Sequence, residues 1–224
     1  NEIITGDCLE VMRGSMGGSI DLILTDPPWG ILKKGYDNNP SLSILKHAEP
    51  ELFRLLRAGG HLLLDMSFVR IFDAHEIFKQ RFVFRQPIIL YCNNQIGHRG
   101  YAGWNHFRLI MWYGKSRTDG SPPPIIRKYR DVIEFPMISL KQEAKQGAWT
   151  FPNPKSVKTY KTLIEMFSKK EDLVLDPFMG SGTTVIACHE LNRRYIGIEI
   201  NEEYANIARA RVKLHQEQMK LTEL

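Results

Sequence analysis

The sequence predicts an α/β protein, a largely parallel sheet with helices over both faces. Three observations lead there. Six runs rich in branched and aromatic residues have the length of strands, helical patterns stand among them, and two runs end in an acidic turn instead of an ordinary polar loop. The 224 residues, 43% of them hydrophobic, suffice for one sizeable core or two small ones. No apolar run approaches the roughly 20 residues of a membrane span.

The strand-like runs are DLILTD (21–26), HLLLDMS (61–67), FVFRQPIILYC (82–92), FRLIMWYG (107–114), DLVLD (172–176) and RYIGIEI (194–200). The run at 41–60 places Leu45, Ala48, Leu52, Leu55 and Leu56 on one helical face and closes on Gly59-Gly60; Pro50 either interrupts it or opens a second helix. Residues 156–169 repeat Val157, Tyr160, Leu163, Ile164 and Phe167 at helical spacing, and TTVIACHEL (183–191) reads as a helix. The last helix starts from Asn201, a good N-cap, with Tyr204, Ile207, Ala208 and Val212 facing inward. The runs near 82–92 and 107–113 have no helix between them and are expected to form an antiparallel edge hairpin. The stretch 116–153, with DGSPPP and EFP, is the candidate for a small inserted recognition region within a single domain, 1–224.

Cys8, Cys92 and Cys188 form no CxxC pair, which argues against a zinc site or a disulfide framework and for a reducing compartment. No metal is expected; His98 and His106 read as structural or surface groups. The opening NEIITGDCLEVM lacks the basic and apolar regions of a secretion signal, and without an initiator Met the natural chain is expected to begin earlier. The net charge of +5 says little by itself, but residues 98–130 hold Arg99, Arg108, Lys115, Arg117, Arg127, Lys128 and Arg130 against only Asp119. Tyr101, Trp104, Phe107, Trp112, Tyr113 and Tyr129 are interleaved with them. Such a segment fits a nucleic-acid surface, with Arg99, Arg108, Lys128 and Arg130 at phosphates. It equally fits a strand whose aromatics turn inward beneath a solvated charged face.

The two acidic turns carry the chemistry. TDPPWG (25–30) sets a carboxylate and a flat ring on a turn stiffened by two prolines. LVLDPFMGSGTT (173–184) ends a strand in Asp176 and runs through Gly180, Ser181 and Gly182 into a helix, whose free amides attract an anion. A P-loop would need a lysine after Gly182, and a dinucleotide fingerprint a glycine where Val185 stands. A loop around the amino-acid end of S-adenosylmethionine is the third reading. Glu199 then ends the next strand, where an acid can accept hydrogen bonds from ribose hydroxyls.

With DPPW and DPFMGSGTT both present, in that order, the chain resembles the beta group of DNA amino-methyltransferases, which methylate the exocyclic nitrogen of adenine or cytosine using S-adenosylmethionine. The resemblance runs over nearly the whole chain. It implies a Rossmann-like methyltransferase fold with a circularly permuted motif order and a mostly parallel seven-stranded sheet. Gly6-Asp7-Cys8 is similar to the family's turn under the cofactor's adenine, FPNPKSV (151–157) to its HPTQKP-type stretch, and NHFRLIMWYGKS to its strand on the target-base side. Phe151 and Ser156 depart from the usual histidine and proline of the lysine motif, and Trp29 from the commoner tyrosine.

The resemblance implies a catalytic turn of Asp26, Pro27, Pro28 and Trp29. Asp26 and the carbonyl of Pro27 would accept the two N–H bonds of the target amino group, and Trp29 would stack on the extruded base. The cofactor residues would be Asp7, Cys8, Lys155, Asp176, Phe178, Gly180, Ser181, Gly182, Thr183, Thr184, Glu199 and Asn201. Asp26 favours adenine N6, because cytosine-N4 enzymes often carry serine there. N4-cytosine transfer, an RNA adenine enzyme and a non-catalytic methyltransferase-fold partner are the alternatives, and a nicotinamide-dependent enzyme rests on the glycine loop alone. The implied partner is double-stranded DNA in the cytoplasm, at a bacterial nucleoid or from a phage, with no membrane; a homodimer and a restriction partner are further candidates.

Overall fold

Leu22 and Leu24 enter one hydrophobic core and Ile23, between them, enters another; all three are fully buried. Period-two alternation with both faces apolar requires helices above and below the strand. The computed structural model describes residues 1–28, 41–91, 99–100, 103–104, 107–121, 124–126, 130–134 and 155–222. Its elements are β1 (Glu2–Thr5), α1 (Cys8–Gly14), β2 (Ile20–Thr25), α2 (Ser41–Leu55), β3 (Leu56–Met66), α3 (Ile71–Phe78) after one 3-10 turn, β4 (Val83–Tyr91), the two-residue strands β5 (Arg99–Gly100) and β6 (Gly103–Trp104), and β7 (Phe107–Gly114). They continue with β8 (Val132–Glu134), α4 (Val157–Phe167), β9 (Leu173–Asp176), α5 (Thr183–Glu190), β10 (Arg194–Glu199) and α6 (Glu202–Thr222).

The main sheet has the order β1-β10-β9-β2-β3-β7-β4-β8, and every pairing is parallel except the two made by β7. The expected β4–β7 antiparallel pair is present. It lies one position in from the edge, because β8 adds an eighth, three-residue strand beyond the seven expected. Strand β8 falls inside the stretch 116–153; residues 135–150 of that stretch lie outside the described residues. Helices α1, α2 and α3 cover one face of the sheet, and α4, α5 and α6 the other.

Helix α2 stops at Leu55, and Leu56 pairs with Ile20 as the first residue of β3. Pro50 lies within the helix and does not end it. A bulge follows, since Leu22 already faces His61, and Gly59 takes φ +77° within it. Lys115 fixes the corner: its Nζ donates to the carbonyls of Phe53 and Leu56, each at 2.7 Å, where the helix leaves carbonyls unpaired. The apolar pattern through Leu56 therefore continues as strand, not helix. Asn201 caps α6 as expected, its Oδ1 accepting from the amide of Tyr204 at 3.2 Å.

Three helices are stitched by one carboxylate. Glu190, at the end of α5, takes Lys161 of α4 at 2.7 Å on one oxygen and His215 of α6 at 2.8 Å on the other. The His215 hydrogen bond first, then Lys161, hold its carboxyl down near 2, against the opposing effect of burial.

Candidate active site at the carboxyl ends of the strands

From β9 the chain moves outward to β10, and from β2 outward to β3, so the strand order reverses between β2 and β9. Ligands gather at the carboxyl ends beside such a reversal. Both acidic turns leave the sheet there, and they are joined. Thr25, the last residue of β2, donates its hydroxyl to Oδ1 of Asp176, the last residue of β9, at 2.6 Å. Thr184 of α5 donates to Oδ2, and the amide of Phe178 to Oδ1. Burial pushes the Asp176 carboxyl up to about 6, and the two threonine hydroxyls restrain the rise. Asp176 thus ties β9 to β2 and to α5.

Asp26 projects from the next position. Its Oδ2 pairs with Nζ of Lys155 at 2.7 Å, with the two side chains 26% and 16% exposed. Burial and the charge of Arg108 pull the lysine down to about 8, while Asp26 pushes it back up. Arg108 is paired in turn with Asp65, which is fully buried at the end of β3 and also accepts the Tyr160 hydroxyl at 3.1 Å. Burial and the nearby Asp26 keep the Tyr160 phenol protonated, hence a donor. Two carboxylates and two cations therefore alternate along the edge beside the DPP turn.

The glycine loop lies on the other side of Asp176. Gly180 takes φ +56° and its amide donates to Oε2 of Glu199 at 2.9 Å; the amide of Asn201 donates to Oε1 at 2.9 Å. Each carboxylate oxygen retains a further lone pair, and Glu199 is only partly buried. Burial raises its pKa against these amides. Gly182, at φ +84°, opens α5, and a Cβ there would stand 2.7 Å from that of Ala208. A left-handed, side-chain-free turn at a helix start, with an acid beside it, fits the amino-acid and ribose ends of S-adenosylmethionine. Gly6 donates its amide to the carbonyl of Glu199 at 3.0 Å, which brings Asp7 and Cys8 to the same corner.

Several expected residues have other partners. Arg108, expected at a phosphate, is turned inward onto Asp65, so its charge is already matched; that expectation is corrected. Asp7 caps α1, accepting from the amides of Leu9 at 2.7 Å and Glu10 at 3.2 Å. Cys8 is buried, and burial pushes its thiol up to about 12. Lys155, expected at the cofactor, sits on the catalytic turn through its side chain, and its carbonyl accepts from Thr183 at 3.3 Å. Trp112 and Tyr113 are buried on opposite faces of β7, so part of the basic and aromatic segment is core. Arg130 is exposed. Trp29, Lys128 and the side chain of Arg99 lie outside the described residues.

Four residues of this region escape the sequence reading: Thr25, Asp65, Tyr160 and Arg211. Asp65 has a signal, because HLLLDMS ends an apolar strand in an acid as the other two turns do. Tyr160 reads from the sequence only as an apolar face residue. Arg211 falls three positions after Ala208, on the inward face of α6.

An acid closing the strand beside a glycine turn, in a parallel sheet with one reversed strand, is how a Rossmann-like methyltransferase holds its cofactor; this fold and site define that class. Residues 20–210 match the family model described as DNA methylase, of the N6 and N4 type, and the chain belongs to that family. Its motif order is that of the beta group, and its cofactor is S-adenosylmethionine. The type II methyltransferase M.HpaI of Haemophilus parainfluenzae is 28% identical over 235 residues, covering 94% of this chain and 73% of that protein. YubD of Escherichia coli (strain K12) is 27% identical over 228 residues, covering 98% and 93%. Among solved structures, TTHA0409, a DNA modification methylase from Thermus thermophilus complexed with S-adenosyl-L-methionine, has a TM-score of 0.72 at 25% identity, covering 94% of this chain and 92% of that one. Among the described residues no helix is long and apolar enough to cross a membrane.

Proposed function

We propose that this DNA amino-methyltransferase transfers its methyl group to N6 of an adenine extruded from duplex DNA. The observation that carries the reading is the Asp26 carboxylate on a proline-stiffened turn, one residue beyond the Thr25–Asp176 junction. An adenine amino nitrogen is a poor nucleophile, because its lone pair is delocalised into the ring. Asp26 and the Pro27 carbonyl accept its two N–H bonds and draw the nitrogen toward a pyramidal geometry. The turn is held before the base arrives, so no reorganisation is needed at the moment of reaction. S-adenosylmethionine supplies the methyl on an already positive sulfur. Gly180, Ser181, Gly182 and Thr183 orient its amino-acid end and Glu199 its ribose. Trp29 stacks on the extruded base, offsetting part of the unstacking cost of a few kcal/mol.

Arg99, Lys128 and Arg130 remain the proposed phosphate contacts, and the stretch 116–153 the proposed recognition region. Relatives named as type II methyltransferases make a restriction partner in a bacterial cell the companion to seek, and self-association is part of the same reading. The test is methylation of mixed-sequence duplex DNA with labelled cofactor, followed by digestion to nucleosides. N6-methyldeoxyadenosine is the expected product. N4-methyldeoxycytidine in its place would overturn the adenine reading, and label entering RNA alone would overturn the DNA reading.

A further inference from the structure

Arg211 is fully buried on α6, an expensive place for a guanidinium unless its partners are fixed. Its Nη1 donates to the carbonyl of Ser181 at 2.7 Å and to the Ser181 hydroxyl at 2.9 Å. Ser181 is itself buried, at the centre of the glycine loop. One turn earlier on the same face of α6, Ala208 is the residue against which Gly182 packs. The loop is thus gripped on one side by α6, through Ala208 and Arg211. On the other side it is held by Glu199 at Gly180 and by the Lys155 carbonyl at Thr183. A left-handed turn with little side-chain bulk has many conformations available to it, so something must select one.

We propose that Arg211 is a positioning residue for the cofactor, acting through Ser181 to hold the glycine loop in its binding conformation. The proposal rests on the reading of that loop as the cofactor's cradle. Arg211 need not touch the cofactor; its contribution is to remove loop freedom that binding would otherwise have to remove.

The test uses the full chain and S-adenosylhomocysteine as the probe, titrated by calorimetry without DNA, so the identity of the target base does not enter. Arg211→Met is expected to weaken binding by about tenfold or more and to raise KM for the cofactor in parallel. The value of kcat at saturating cofactor should stay within about threefold, as should affinity for DNA. Arg211→Lys, which keeps one cationic donor, is expected to fall between. If Arg211→Met does not fold, Arg211→Lys and Ser181→Ala decide, each expected to bind about threefold or more weakly. Folded variants whose cofactor affinity stays within about twofold of the parent overturn the proposal. Glu199→Gln separates the two ways it can fail. Should that change weaken binding while the others do not, the Arg211 assignment alone falls; should it also do nothing, the loop-and-acid reading of the cofactor site falls with it.

Discussion

Nζ of Lys155 lies 2.7 Å from Oδ2 of Asp26, so the lysine of one motif sits on the carboxylate of another from the far end of the chain. The ammonium is held there against burial and against the charge of Arg108, which together bring its pKa to about 8 from 10.5. Between those two values the unfolded chain keeps a proton that the folded chain has released, so this group makes stability rise with pH across that window. In lysine-labelled protein, an ε-carbon resonance titrating near 8 is expected, and it should vanish in Lys155→Met. Arg108→Gln should move the midpoint up. A Lys155 midpoint at or above the ordinary 10.5 would contradict the burial on which this rests.

Asp26→Ala removes the proposed acceptor without touching the loop around Gly180. Methyl transfer should fall by about 10²–10³-fold or more, the scale for losing one preorganised transition-state contact. Cofactor affinity, measured by calorimetry, should hardly change. Transfer at the parent rate would remove Asp26 from the chemistry.

Thr25→Val keeps the shape of the β2 end and deletes the hydroxyl that Asp176 accepts at 2.6 Å. Losing a hydrogen bond to a buried carboxylate costs about 1.5–3 kcal/mol. Urea denaturation at pH 8, above the Asp176 value of about 6, should read that loss in full. A change under about 0.5 kcal/mol would mean the junction does not stabilise the sheet.

Gly182→Ala meets two penalties, a φ of +84° and a methyl 2.7 Å from Ala208 Cβ. A loss of about 1–3 kcal/mol is expected from the backbone alone. Cofactor affinity should fall with it. Full affinity in a folded alanine variant would show that the turn tolerates a side chain.

Glu190 sets an acid limb to stability. Its folded pKa of about 2 lies below the ordinary 4.5, so its contribution is complete above pH 4.5 and is lost as pH falls through 2. After solvent screening that contribution is on the order of 2 kcal/mol. Glu190→Gln should therefore destabilise the protein at pH 6 and progressively less below 4.5. Equal destabilisation at pH 3 and pH 6, by urea titration, would exclude this origin.

Much of the site is legible in the sequence because strands buried on both faces announce their ends. DLILTD and LVLD each stop at an acid, and both acids lie at the expected edge. What escapes is what depends on partners distant in sequence. Arg108 reads as a free cation until β3 is beside β7, and only then does Asp65 claim it. The helical pattern at 41–60 runs too long because Leu56 is apolar in either geometry, and only its pairing with Ile20 settles the choice. Strand β1 and helices α1 and α3 are short, with too few turns or alternations for periodicity to stand out.

The contact of Thr25 with Asp176 spans 151 positions. A ribosome delivers the DPP turn early, yet strand β2 lacks its neighbour on one side until β9 has emerged. Until then it presents an apolar edge of unmatched amides and carbonyls, the kind of surface that invites other chains. Synthesis of this enzyme therefore includes an interval in which half of its central layer waits, and chaperone demand should be concentrated there.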